Sequence, residues 1–316
     1  MKTRLLVGAA VLALATTLTA CTDSAETTSS GSASSADGTI ASQLIMGGPP
    51  EFKTRADGLP GLEKNYGVVF GNYTVTDTGG PVTVNALKNG QIDAADLFTT
   101  DPSIKANDFV VLTDPENNFA AQNVLPIITK DLATDGVTST LNAVSAKLTT
   151  EGLIDMLTKV QEEKQDASAV ATQWLADNGL DAAGTQAQGV TLTVGSANFP
   201  ENVVLAEIYA QALRAQGAEV STQLNIGSRE KYYPALEAGS INLMPEYSGT
   251  ILSYLNPNAT AVDSEEVYTA LTEALPDGLT VLAQSQAQDA DAIVVTRETA
   301  ETYGLTSIAD LAKPAP

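Results

Sequence analysis

The chain has no histidine and one cysteine, Cys21, in 316 residues. Without an imidazole, Ser-His-Asp triads and His-ligated metal centres are excluded, and a single thiol near the start removes disulfides and Cys metal clusters. No Gly-x-Ser-x-Gly elbow is present, so a hydrolase has no recognisable nucleophile. Basic residues are scarce, 16 Lys and Arg against 38 Asp and Glu, for a formal net charge of -22. Nucleic acid is therefore no partner, because phosphate binding needs clustered basic side chains. The acidity serves solubility and raises the local concentration of cations. Aromatic residues make up only 5%, and after the first 20 residues no apolar run reaches the roughly 20 residues of a membrane helix.

Lys2 and Arg4 precede an apolar stretch from Leu5 to Ala20, and Leu18-Thr19-Ala20-Cys21 follows as a lipobox. This pattern predicts a lipoprotein signal peptide over 1–20, a lipidated Cys21 and attachment to the extracytoplasmic face of the cell membrane. Residues 21–39, rich in Ser, Thr, Gly and Ala, read as a flexible tether. The remainder, in a chain 43% apolar and 17% charged, has the balance of a globular body.

Short apolar strands then alternate with helical patterns, which predicts an α/β architecture with mostly parallel sheets. Strands are expected at 43–46, 68–75, 92–98, 109–112 and 124–129, and several helices over 131–178. Asp181 to Gly189 is a second low-complexity linker. Thr191 to Gly195 reads as a strand, followed by a helix with Asn198 as N-cap candidate and Pro200 in the first turn, stopped at Gly217, and by a strand over 219–226. This βαβ unit places Ser196, Ala197 and Asn198 where free backbone N–H groups favour an anion.

Three motifs stand together: Gly195-Ser196-Ala197-Asn198-Phe199-Pro200-Glu201, Asn225-Ile226-Gly227-Ser228 and Pro245-Glu246-Tyr247-Ser248-Gly249-Thr250. They resemble the GSKNFTE, NLGS and PEYTGT patterns in the first lobe of the OpuC/ProX-type substrate-binding proteins of quaternary-amine ABC transporters. Pro50 to Arg55 with Asp57-Gly58, Ala86 to Gly90, Phe98 to Asp101 and Asn123 to Pro126 resemble the second lobe and return strand of the same family. The order is reversed, however, since the EFKTRADG segment comes first and GSANFPE follows the linker. The resemblance thus implies a circularly permuted, type II-like periplasmic-binding-protein fold. Lobe II would comprise 40–123 and 296–316, lobe I 124–180 and 190–295, and 181–189 would join the family's usual termini.

What the resemblance implies for function is a non-enzymatic binding protein that needs no cofactor or metal. It would deliver glycine betaine, choline or a related betaine to an ABC permease. A trimethylammonium group offers no ordinary hydrogen bond, so it is held by aromatic faces worth roughly 0.5–2 kcal/mol each. Tyr247 matches a cage tyrosine, Thr250 a carboxylate-binding threonine, and Arg55 an arginine whose fork grips a carboxylate. Phe98 stands in place of another cage tyrosine. Ala197 replaces the family lysine beside Asn198, and Asp291 and Gln122 occupy two further cage positions. Asp291 then offers a Coulomb partner for a cation, and Gln122 a hydrogen bond to a polar ligand. A ligand-sensing or interaction lipoprotein of the same fold remains the alternative.

Overall fold

A computed structural model describes residues 38–316. The signal segment, Cys21 and the tether up to residue 37 lie outside the described residues. The fold rests on two five-stranded mixed sheets. Strands β1 (Ile45–Gly48), β2 (Asn72–Val75), β3 (Ala94–Phe98) and β4 (Val110–Val111) belong to one sheet. Strands β5 (Val124–Thr129), β6 (Thr191–Gly195), β7 (Glu219–Gln223), β8 (Leu243–Tyr247) and β9 (Leu279–Val281) form the other. The last strand, β10 (Asp291–Val295), returns to the first sheet.

The strand orders, β2-β1-β3-β10-β4 and β7-β6-β8-β5-β9, follow one plan. In each sheet three strands run parallel, and the fourth enters antiparallel from the other half of the chain, β10 beside β3 and β5 beside β8. Both returning strands are apolar along nearly their whole length because helices cover both faces. Along β10, Ile293 and Val295 join one apolar cluster while Ala292 and Val294 join another. Along β5, Val124 and Ile128 face one cluster while Leu125 and Ile127 face its neighbour.

This pairing corrects one expected boundary. Residues 291–295, assigned from sequence to the lobe with 124–180, hydrogen-bond to β3 and β4 in the opposite sheet. A run of apolar residues reads as a buried strand but does not say which sheet buries it. Local breaks also shorten expected strands. The strand expected over 68–75 begins only at Asn72, and the one expected over 219–226 ends at Gln223, just ahead of Asn225 at φ 57°. Asn198 does not cap the helix Pro200–Ala215; Phe199 holds that position without a side-chain hydrogen bond.

The low-complexity segment 181–189 is docked rather than loose. Gly184 N and Ala187 N donate to the carbonyls of Ala215 and Gln216 at 2.8 and 2.9 Å, and Ala187 is fully buried. At the other end of the body, Ile40 N donates to Lys313 O and Ala315 N to Gly38 O, so the first and last described segments pair directly.

Candidate ligand-binding cleft

The loops that leave the carboxyl ends of the parallel strands converge, as α/β sheets arrange their ligand sites. Phe98 ends β3, Tyr247 ends β8, Ala197, Asn198 and Phe199 follow β6, and Arg55 follows β1 by way of a 3-10 turn at Pro50–Lys53. Together with Thr250, Tyr232, Arg229 and Asp291 they line a cleft of about 540 Å³ of empty space, part of it open to solvent. Its walls thus come from both sheets.

Seven of the eight residues singled out from sequence meet there: Arg55, Phe98, Ala197, Asn198, Tyr247, Thr250 and Asp291. Gln122 does not reach the cleft wall. It is 1% exposed, and its Oε1 accepts from Thr250 N at 3.0 Å, so it anchors the start of the helix Ser248–Leu255. Its carbonyl oxygen is thus committed to the backbone, while its Nε2 is buried with no hydrogen-bond partner, and the expected contact with a ligand is not made from the cleft wall. Tyr209, by contrast, is helix core with no exposed surface.

Arg55 and Asp291, expected as separate ligand contacts, are partners of each other. Arg55 Nη2 donates to Asp291 Oδ2 and Nε to Asp57 Oδ1, each at 2.6 Å. Burial works against the guanidinium's charge, but Asp291, Asp57 and Asp96 together hold its pKa above the usual value. Burial raises the Asp291 carboxyl, and Arg55 offsets part of that rise. Burial likewise raises the Asp96 carboxyl, and the Asp291 charge adds to the rise. The guanidinium thus offsets part of the negative charge gathered beside the cleft.

The sequence reading missed a second cluster built the same way. Arg229 donates through Nε and Nη2 to both oxygens of the fully buried Glu246, at 3.1 and 2.8 Å. Tyr232 Oη and Tyr247 N donate to the same carboxylate at 2.7 and 3.1 Å. Four donors on one buried carboxylate lock the end of β8, and with it the Tyr247 ring. The available signal was a charged residue in an otherwise apolar strand, Leu243-Met244-Pro245-Glu246-Tyr247, which requires a partner when buried.

Phe199 was also overlooked as a ring, although it stands inside a quoted motif. Its centroid lies 5.2 Å from Phe98 and 5.9 Å from Tyr247, so three rings form a row crossing from one sheet's loops to the other's. Such offset and tilted contacts leave π faces for a cation. Among the described residues no cluster of His, Cys, Asp and Glu has the makings of a metal site, and no helix is long and apolar enough to cross a membrane.

Two α/β units linked by crossover strands, with an aromatic and charge-lined cleft between their loops, define a two-lobe ligand-binding protein. The chain belongs to the family described as the substrate-binding domain of ABC-type glycine betaine transport systems, whose sequence model matches residues 14–177 and 190–316. It is 34% identical over 142 residues to a glycine-betaine-binding protein of Pseudomonas aeruginosa, a match spanning 44% of each chain. Among solved structures it is similar to holo ArgBP from T. maritima, at 10% identity and TM-score 0.39, covering 86% of this chain and 88% of that one. It is also similar to a cysteine-binding protein from Campylobacter jejuni, at 9% identity and TM-score 0.42, covering 82% and 79%. A phosphate-binding protein from Streptococcus pneumoniae TIGR4 aligns at 10% identity and TM-score 0.43, covering 85% and 94%.

Proposed function

We propose that the protein is the solute-binding component of an ABC importer, and that its cleft takes a small quaternary amine, with choline-like cations lacking a carboxylate preferred over glycine betaine. One observation carries this preference: both cleft guanidiniums already hold carboxylates, Arg55 those of Asp57 and Asp291, Arg229 that of Glu246. Ala197 adds no positive charge, while Glu51, Glu230, Asp289 and Asp291 line the same cleft. A ligand carboxylate would meet more negative than positive charge there, and a cation would meet rings and acids.

The order of the lobes is, on this reading, circularly permuted. Three observations support it: the motifs run in reverse order, the family match breaks between 177 and 190 around the docked linker, and the first and last described segments are hydrogen-bonded neighbours. Termini that lie together on a surface make such a rearrangement physically cheap.

The test is thermal unfolding in the presence of choline, glycine betaine, carnitine, proline betaine, ectoine and ergothioneine. A ligand at a hundred times its Kd adds about 2.7 kcal/mol. Choline should give the largest shift, with glycine betaine bound about tenfold more weakly or worse. Silence from the whole panel, or tighter binding of glycine betaine, would sink the reading. The same panel run on a rearranged chain, 190–316 followed by 38–180, should return the same ranking; a rearranged chain that does not fold counts against permutation. We propose also that Cys21 carries the lipid anchor on the extracytoplasmic side. A Cys21→Ala chain should leave the membrane fraction, and its retention there would refute the anchor.

A further inference from the structure

Thr100 Oγ1 lies 2.7 Å from Glu201 Oε2 and 2.7 Å from Asp289 Oδ1. A threonine hydroxyl has one proton to donate and can otherwise only accept. With both carboxyl groups ionised, one of these two oxygens would face a lone pair at bonding distance inside a buried site. One additional proton completes the set: a protonated carboxyl donates to Oγ1, and Oγ1 donates to the other. The remaining Glu201 oxygen accepts from Tyr247 Oη at 2.9 Å, whereas Asp289 Oδ2 is buried with no hydrogen-bond partner.

The three residues come from three parts of the fold. Thr100 follows β3, Glu201 sits in the first turn of the helix Pro200–Ala215 in the opposite lobe, and Asp289 lies on the crossover into β10. Asp289 N donates to Gln122 O on the other crossover at 3.1 Å, so the network reaches both connections between the lobes. Opening the cleft would part Glu201 from Thr100.

We propose that Glu201 and Asp289 share a single proton when the cleft is closed, and that this proton couples closure, and hence ligand affinity, to pH. Glu201 is thus a positioning residue: it is buried behind the cleft lining, and holds the Tyr247 hydroxyl on one side and the far lobe on the other. The affinity arm of this inference rests on the ligand reading above; the closure arm does not.

The surroundings fit. Burial pushes the Glu201 carboxyl up to about 7, with the bonds from Thr100 and Tyr247 offsetting part of the rise and the Asp101 charge adding to it. Asp289 is raised by burial first and by the Glu201 charge second, with Asp291 a smaller contribution. Arg55, which could have neutralised the pair, is taken by Asp57 and Asp291. Since the closed-state value is raised, the proton is held in the closed form and released in the open form between an ordinary carboxyl range and about 7. Closure is therefore fully favoured below that window and loses its advantage as pH rises through it.

The experiment measures small-angle scattering of the ligand-free protein and choline affinity from pH 5 to pH 8, for the wild type, Glu201→Gln and Asp289→Asn. Glutamine at 201 donates to Thr100 and still accepts from Tyr247, so no shared proton is needed. The wild type should expand as pH rises and lose affinity by up to about tenfold per pH unit, the limit for one linked proton, levelling off above about 7. Both variants should give flat profiles in both measurements; Asp289→Asn carries the test if Glu201→Gln does not fold. A pH-independent wild type, or variants that follow the wild-type slope, would overturn the proposal. If choline binds at no pH, the ligand reading fails while the scattering still decides the proton.

Discussion

Replacing Glu246 with alanine is expected to lower the unfolding free energy by about 3–5 kcal/mol, the cost of leaving a buried charge without its partner. Glu246 has no exposed surface, and Arg229 is 11% exposed through its side chain. The attraction of Glu246, together with Tyr232, outweighs burial and keeps the guanidinium's pKa well above its usual value. Without the carboxylate, two guanidinium nitrogens, the Tyr232 hydroxyl and the Tyr247 amide all lose their acceptor. Urea unfolding measures the effect directly. Replacing Arg229 and Glu246 together with Met and Leu should recover most of the loss, because apolar residues of similar volume remove both desolvation penalties at once. A single variant within 1 kcal/mol of the wild type would show that water reaches the pair and that it does not brace β8.

Truncating Tyr247 to alanine should weaken choline binding by about 2–3 kcal/mol, or roughly 30- to 150-fold. One cation-binding face is removed, the row with Phe199 loses its end, and the partner of Glu201 Oε1 is lost. Tyr247→Phe keeps the ring and should lose much less, about 0.5–1.5 kcal/mol for the hydrogen bond. Calorimetric titration separates the two. Equal affinities for the wild type and Tyr247→Ala would remove this ring from the site. Because the Tyr247 side chain is only 6% exposed and packs in the larger core cluster, the alanine variant should also lose stability. Affinity must therefore be measured well below its melting temperature.

Much of the cleft could be read because its residues stand in short motifs that resemble those of a known family. Phe98 ends a mostly apolar run that reads as a strand, and parallel strands put such ends at a ligand site whichever sheet they join, whereas the run ending at Tyr247 is broken by Glu246 and only its motif marks it. Gln122 went astray for a related reason. Its neighbours mark the approach to β5, but nothing local shows that its amide oxygen accepts from Thr250 N, 128 residues away. Glu201, Phe199 and Glu246 all stand inside the three motifs, but their roles depend on partners that lie outside their own motif or on the far side of the cleft. A carboxylate flanked by apolar residues should have raised the question of its partner.

By itself the sequence determined the class of the fold, the absence of His and Cys chemistry, the family, and which strand-end loops meet at the cleft. The first two follow from composition and apolar periodicity, and the last two are what the resemblance of short motifs to a known family implies; all are read over a few residues. Only the tertiary structure decided where the charges go. Arg55 spends its charge on Asp291, 236 positions later, and Thr100 meets Asp289 across 189. The returning strand β10 creates both encounters by entering the first sheet from the far end of the chain. In a buried site, a charge's meaning is set by its nearest partner, and strand register over that distance, not local pattern, chooses the partner.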